Sequence, residues 1–137
     1  ITGVPRSATQ KPEANKMNDI EAKKALQNQV NNIARDIQHG MTFEDAGMDS
    51  EEFNSEPTDL ISGHDYLADA LDINYVVSAD AQYLGARILV AFGGPNIWID
   101  TRAGFVEGHW WGDSATARID GDSMGLDECL SELWECR

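Results

Sequence analysis

"YLGARILVAFGGPNIWIDTRAGFVEGHWW", residues 83–111, is the stretch on which the fold turns. Three runs rich in β-branched and aromatic residues are split by GGPN and RAG, both of turn-forming composition. "INYVV" (73–77) precedes them and "ATARI" (115–119) follows. The order predicts an antiparallel meander of four to five strands. Alternation then sorts the side chains, because successive residues of a strand point to opposite faces. A hairpin turn at Ala103-Gly104 sets Asp100 opposite Glu107 and Trp98 opposite His109. One face collects Ile97, Ile99, Val106 and Trp110, and the preceding hairpin adds Ile88, Val90 and Phe92. That is a core face. The other carries Arg87, Leu89, Trp98, Asp100, Arg102, Phe105, Glu107, His109 and Trp111. Opposed carboxylates are unfavourable. Arg87, diagonal to Asp100, and Arg102, diagonal to Glu107, are placed to neutralise them.

Working outward, residues 18–39 read as a helix. Asn18 and Glu21 form an approximate capping box, Leu26, Val30, Ile33 and Ile37 make an apolar stripe, and Gly40 suits the C-terminal cap. A short helical turn is expected from Thr42, with Asp45 three residues on. Residues 59–71 are a second helix candidate, delayed by Ser62-Gly63 and capped by Ser62 with Asp65. "GLDECLSELWECR" (125–137) reads as a C-terminal helix with Leu126, Leu130, Leu133 and Trp134 on one side. The fold class is α+β: N-terminal helices, a four- to five-stranded antiparallel meander, and a C-terminal helix packed on the sheet. Residues 1–16, polar and with two prolines, read as a flexible tail or a vector-derived extension ahead of a start at Met17. Residues 17–137 then form a single domain.

The charge is unusual. Ten Lys and Arg face 24 Asp and Glu, a net charge of −14. Residues 1–16 hold three bases and one acid, so without them the net charge is −16. No Lys or Arg stands between Arg35 and Arg87, while twelve acids do. Such a field repels nucleic acid and anionic membrane and attracts basic surfaces. Exposed acidic runs are most often only a solvated surface. The alternative is a surface spaced like phosphates along DNA, offered to a basic nucleic-acid channel. Its carriers would be Glu44, Asp45, Asp49, Glu51, Glu52, Glu56, Asp59, Asp65 and Asp69, with Trp98 and Trp111 as further contacts. No apolar run reaches the length of a membrane span. Cys129 and Cys136, if both lie on one helix, stand roughly 10 Å apart, too far for a disulfide within that helix. Free thiols suit the cytoplasm.

Other chemistry is thin. Asp100, Glu107 and His109 offer acid–base or ligand-binding chemistry on the outer sheet face. In "DGDSMGLDE" (120–128), Asp120, Asp122 and Gly125 match the start of a calcium loop, but Met124 and Ser131 break it. A cap from Ser123 or Asp127 onto the following helix is the simpler expectation. His39, His64 and His109 share no metal-type spacing, and the cysteines lack a second pair. Glu128 and Glu132 argue against Cys129 as a nucleophile. FGGP lacks a phosphate-loop context, and no nucleophile-elbow motif occurs. Neither a cofactor, a metal nor a catalytic residue is expected.

The segment 83–113 resembles a block in small acidic proteins carried by phages and conjugative plasmids. The resemblance covers about 30 of the 137 residues and carries over no functional residue. It implies a context in which accessory proteins act on host defence systems. Anti-restriction and anti-CRISPR inhibitors of that setting are small, acidic and cytoplasmic, and some imitate DNA. The function expected is inhibition by occupying the basic surface of a nucleic-acid-binding host protein. The alternatives are a small enzyme or ligand-binding domain on the outer sheet face, or a protein-binding module that does not imitate DNA.

Overall fold

The computed structural model describes the backbone from Lys16 to Arg137 and the side chains from Asp19 onward. The reading of residues 1–16 as a tail falls, Lys16 apart, outside the described residues, as does the Asn18 side chain; the backbone is already helical at Lys16, so Asn18 lies inside the helix and not at its N-terminal cap. Helix α1 spans Lys16–His39, α2 Phe43–Ala46 and α3 Gly63–Leu67, with a 3-10 turn at Ser50–Phe53 between the last two. Strands β1 (Asp72–Val77), β2 (Tyr83–Ala91), β3 (Asn96–Asp100), β4 (Phe105–Trp110) and β5 (Asp113–Arg118) follow, then α4 (Leu126–Glu135). The strands form one open antiparallel sheet in sequence order, β1 to β5. The fold is α+β.

Both long helices lie on one face of the sheet. Helix α1 packs over β4 and β5, and α4 over β2 and α3. The α1 stripe of Leu26, Val30, Ala34 and Ile37 is buried against Ala86, Ile88, Ile97, Ile99, Val106 and Ala115, with Leu126 and Leu130 from α4. Each Leu, Ile or Val among them contributes about 1.5–3 kcal/mol on burial. Gly108 sets the approach of α1. A Cβ there would lie 2.8 Å from Leu26 Cδ1 and 3.0 Å from Val30 Cγ1, so any side chain at this position would press on both. Polar ties finish the docking: Gln27 Nε2 donates to the Thr116 carbonyl (2.9 Å) and the Ser123 amide to the Ile37 carbonyl (3.0 Å). Tyr83 Oη donates to Asp127 Oδ1 (2.6 Å), and the Trp134 ring packs tilted against Tyr75 with centroids 5.4 Å apart, which seats α4 on β1 and β2.

Strand parity holds, but the β3–β4 register does not. Asp100 pairs with Phe105 and Trp98 with Glu107, across a four-residue turn at 101–104. The Ala103 amide donates to Asp100 Oδ1 (2.8 Å), and Gly104 takes φ +80° with its amide on the Asp100 carbonyl. These bonds favour the longer loop over a two-residue turn. A slip of two residues preserves faces, so Ile97, Ile99 and Val106 remain in the core. Trp110 packs half-buried on the same face. Phe92 corrects the expected core face. A bulge between Leu89 and Ala91 sets Ala91 opposite Ile97, and Phe92 stands 73% exposed. The second helix is also shorter than expected, running only from Gly63 to Leu67. Leu60 and Leu71, outside it, are exposed. Trp111 and Gly112 form the β4–β5 turn with φ +56° and +84°, a left-handed pair that matches the strand twist.

Candidate interaction surface

The segment between α1 and β1 carries the acids, and hydrogen bonds make it one unit. The Phe43 amide donates to the Asp59 carbonyl (3.1 Å), Glu44 to Pro57 (2.9 Å) and Ile61 to Met41 (2.9 Å). Phe43 is fully buried beneath it, its ring 5.5 Å from Phe53. Three acids build the local backbone. Asp49 Oδ1 accepts from the Glu51 amide (3.0 Å) and Asp59 Oδ2 from the Glu56 amide (2.9 Å). Asp65 and Ser62 complete the expected capping box on α3. Thr42 caps α2 by accepting from the Asp45 amide (3.1 Å), again as expected.

The rest are not engaged. Glu44, Asp45, Glu51, Glu52, Glu56 and Asp69 are exposed, and none makes a side-chain hydrogen bond or meets a cation among the described residues. Crowding shows at the α1–α2 junction. Burial, first, and the repulsion of Asp45 hold the Asp36 carboxyl above its ordinary value, while Arg35 pulls the other way. The fold thus gathers Glu44, Asp45, Asp49, Glu51, Glu52, Glu56 and Asp59 on one hydrogen-bonded unit. Asp65 and Asp69 follow on and just after α3. Met41, Ala46, Met48, Tyr66, Asp69 and Val90 line one shallow groove of about 190 Å³ beside that unit.

Trp98 and Trp111 are placed elsewhere. Trp98 lies on the sheet face away from the helices, with the Arg87 guanidinium 4.6 Å from its ring centroid. Trp111 forms the β4–β5 tip and, with Phe92, His109 and Trp110, lines an open cleft of about 490 Å³. Arg87 stands directly opposite Asp100, not diagonal to it, and donates through Nη2 to Glu107 Oε1. Its Nε lies 4.0 Å from Asp100 Oδ2, and His109 Nε2 lies 3.3 Å from Glu107 Oε2. Arg102 is exposed in the turn. The two carboxylates on this uncovered face are therefore held by one guanidinium, and Asp100 also by the turn amide. This is a charge ladder between strands, not a pair of free acid–base groups.

The 120–128 loop is committed to helix capping. Asp122, and not Ser123 or Asp127 as expected, supplies the cap, accepting from the amides of Leu126 (2.8 Å) and Asp127 (2.9 Å); Ser123 Oγ instead donates to the Ile37 carbonyl and Asp127 accepts from Tyr83. Asp120 lies 3.4 Å from Arg118 Nε. One grouping was invisible in the sequence: His64 on α3 lies beside Cys129 and Glu132 on α4, donor atoms all within 4.8 Å. Only the i, i+3 spacing of Cys129 and Glu132 hinted at it. Burial, first, and then Glu132 push the Cys129 thiol up, against a smaller opposing pull from a backbone hydrogen bond at His64. Both cysteines are free thiols. Among the described residues no helix is long and apolar enough to cross a membrane.

Comparison with protein-family models, curated proteins and solved structures finds no match to this chain.

Proposed function

We propose that this protein is a non-enzymatic inhibitor that presents its acidic flank to the cationic nucleic-acid site of a host defence enzyme, of the anti-restriction or anti-CRISPR kind. One observation carries the reading. Among the described residues, six exposed carboxylates between Glu44 and Asp69 meet no cation, on a segment tied into one unit by its backbone hydrogen bonds. A surface meant only for solubility needs charge but no fixed arrangement. A surface that replaces a phosphate backbone needs carboxylates held in register, unneutralised from within. The capping roles of Asp49, Asp59 and Asp65 supply that order. Work in the cytoplasm, where such enzymes meet DNA, belongs to the same proposal.

The test is inhibition of a panel of DNA-cleaving and DNA-binding defence enzymes by the full chain. The expected result is inhibition of at least one member, competitive with DNA and lost on replacing Glu51, Glu52 and Glu56 together by Lys. Inhibition that added DNA does not relieve would replace this reading with a protein-binding module that does not imitate DNA. No inhibition across the panel would reject it.

A further inference from the structure

We propose that His64, Cys129 and Glu132 form a binding site for a borderline-soft divalent transition metal, zinc above all, which clamps α3 to α4. His64 Nε2, Cys129 Sγ and a Glu132 carboxylate oxygen lie within 4.8 Å of one another, and His64 Nε2 is 3.1 Å from Glu132 Oε1. Metal bonds of about 2.0–2.3 Å at tetrahedral angles set donor atoms roughly 3.3–3.6 Å apart. The three atoms thus need only small side-chain rotations to converge on one ion. Nitrogen, sulfur and carboxylate oxygen are the three donor types that zinc accepts. A thiolate and a carboxylate together balance the two positive charges of the ion.

The backbone is built to hold this arrangement. Cys129 and Glu132, three apart on α4, share one face of that helix. Gly63 brings α3 against them. A Cβ on it would lie 2.8 Å from Cys129 Sγ and 2.9 Å from the Gly125 carbonyl oxygen. The Gly63 amide donates to the Met124 carbonyl (2.9 Å), and the Ser62–Asp65 capping box fixes the turn that bears His64. His64 and Glu132 are exposed and Cys129 is buried, so the ion would enter from solvent and seat on the thiolate, leaving a fourth position for water. Binding releases the thiol proton to solvent, with no oxidant or reductant involved.

The experiment titrates the metal-free full chain, with Cys136→Ser to remove the other thiol, with Co²⁺ and then Zn²⁺. The expected result is one equivalent bound, a thiolate-to-cobalt charge-transfer band in the near ultraviolet, and loss of that band as zinc displaces cobalt. His64→Ala and Glu132→Gln, both at exposed positions, should each weaken zinc binding by at least about tenfold. Cys129→Ser should abolish the band. Absence of the band in the Cys136→Ser chain would overturn the proposal. So would affinity unchanged by His64→Ala and Glu132→Gln, a result that stands even if the Cys129 variant fails to fold.

Discussion

Arg87 faces Asp100 across the β2–β3 ladder and reaches one strand further to Glu107, with its guanidinium over the ring of Trp98. One cation thus spans three strands of the uncovered sheet face. The Asp100 and Glu107 side chains are only 19% and 20% exposed, so losing their cation leaves two poorly solvated carboxylates. Arg87→Met is expected to lower stability by about 1–2 kcal/mol, read from the denaturant midpoint. Glu107→Gln in that background should recover part of the loss. A double-mutant cycle with zero coupling would show that the ladder is incidental.

Gly108 limits how closely α1 approaches the sheet. Gly108→Ala forces a methyl against Leu26 and Val30. Overpacking of this kind costs about 1–3 kcal/mol. Trimming Leu26 in the same chain should relieve part of it, as measured by thermal unfolding. A neutral Gly108→Ala would mean that α1 sits further from β4 than described.

Phe43 is the anchor of the acidic unit, fully buried against Phe53. Phe43→Ala should cost about 3–5 kcal/mol, and amide exchange should accelerate first in residues 41–61. Uniform acceleration across the sheet as well would contradict a separately anchored unit.

Tyr66 gives the chain a stability loss at high pH. Burial, with a smaller contribution from Asp36, pushes its phenol from an ordinary value of 10.0 up to about 12. The unfolded chain therefore gives up this proton before the folded chain does. The stability it contributes is fully present below pH 10 and is lost as pH rises from 10 through about 12. Tyr83, raised by burial and its hydrogen bond to Asp127, adds to the same fall. The denaturation midpoint should drop across that window, and Tyr66→Phe should remove part of the drop. An unchanged profile in that variant would refute the assignment.

The sequence carried face assignments better than loop lengths. Ile97, Ile99 and Val106 went to the core because parity survives a two-residue slip. The slip itself was not legible, since it depends on Asp100 accepting the Ala103 amide rather than on any turn motif. Phe92 misled for a similar reason: the bulge at Leu89–Ala91 leaves no mark in the hydrophobic pattern. The caps on Thr42 and Ser62 were readable because their partners lie three residues away. Nothing local links His64 with Cys129, 65 positions later, so their meeting waited on the packing of α3 against α4.

The most direct test of the acidic-flank account is the affinity of the chain for an enzyme it inhibits, measured across salt concentration. The same titration is made on the chain with Glu51, Glu52 and Glu56 replaced by Lys. The account predicts affinity that falls steeply with salt, because exposed charge supplies most of the binding. It also predicts a loss of at least about tenfold in the variant, equivalent to about 1.4 kcal/mol, together with a shallower salt dependence. Affinity that ignores both salt and the three reversals would contradict it.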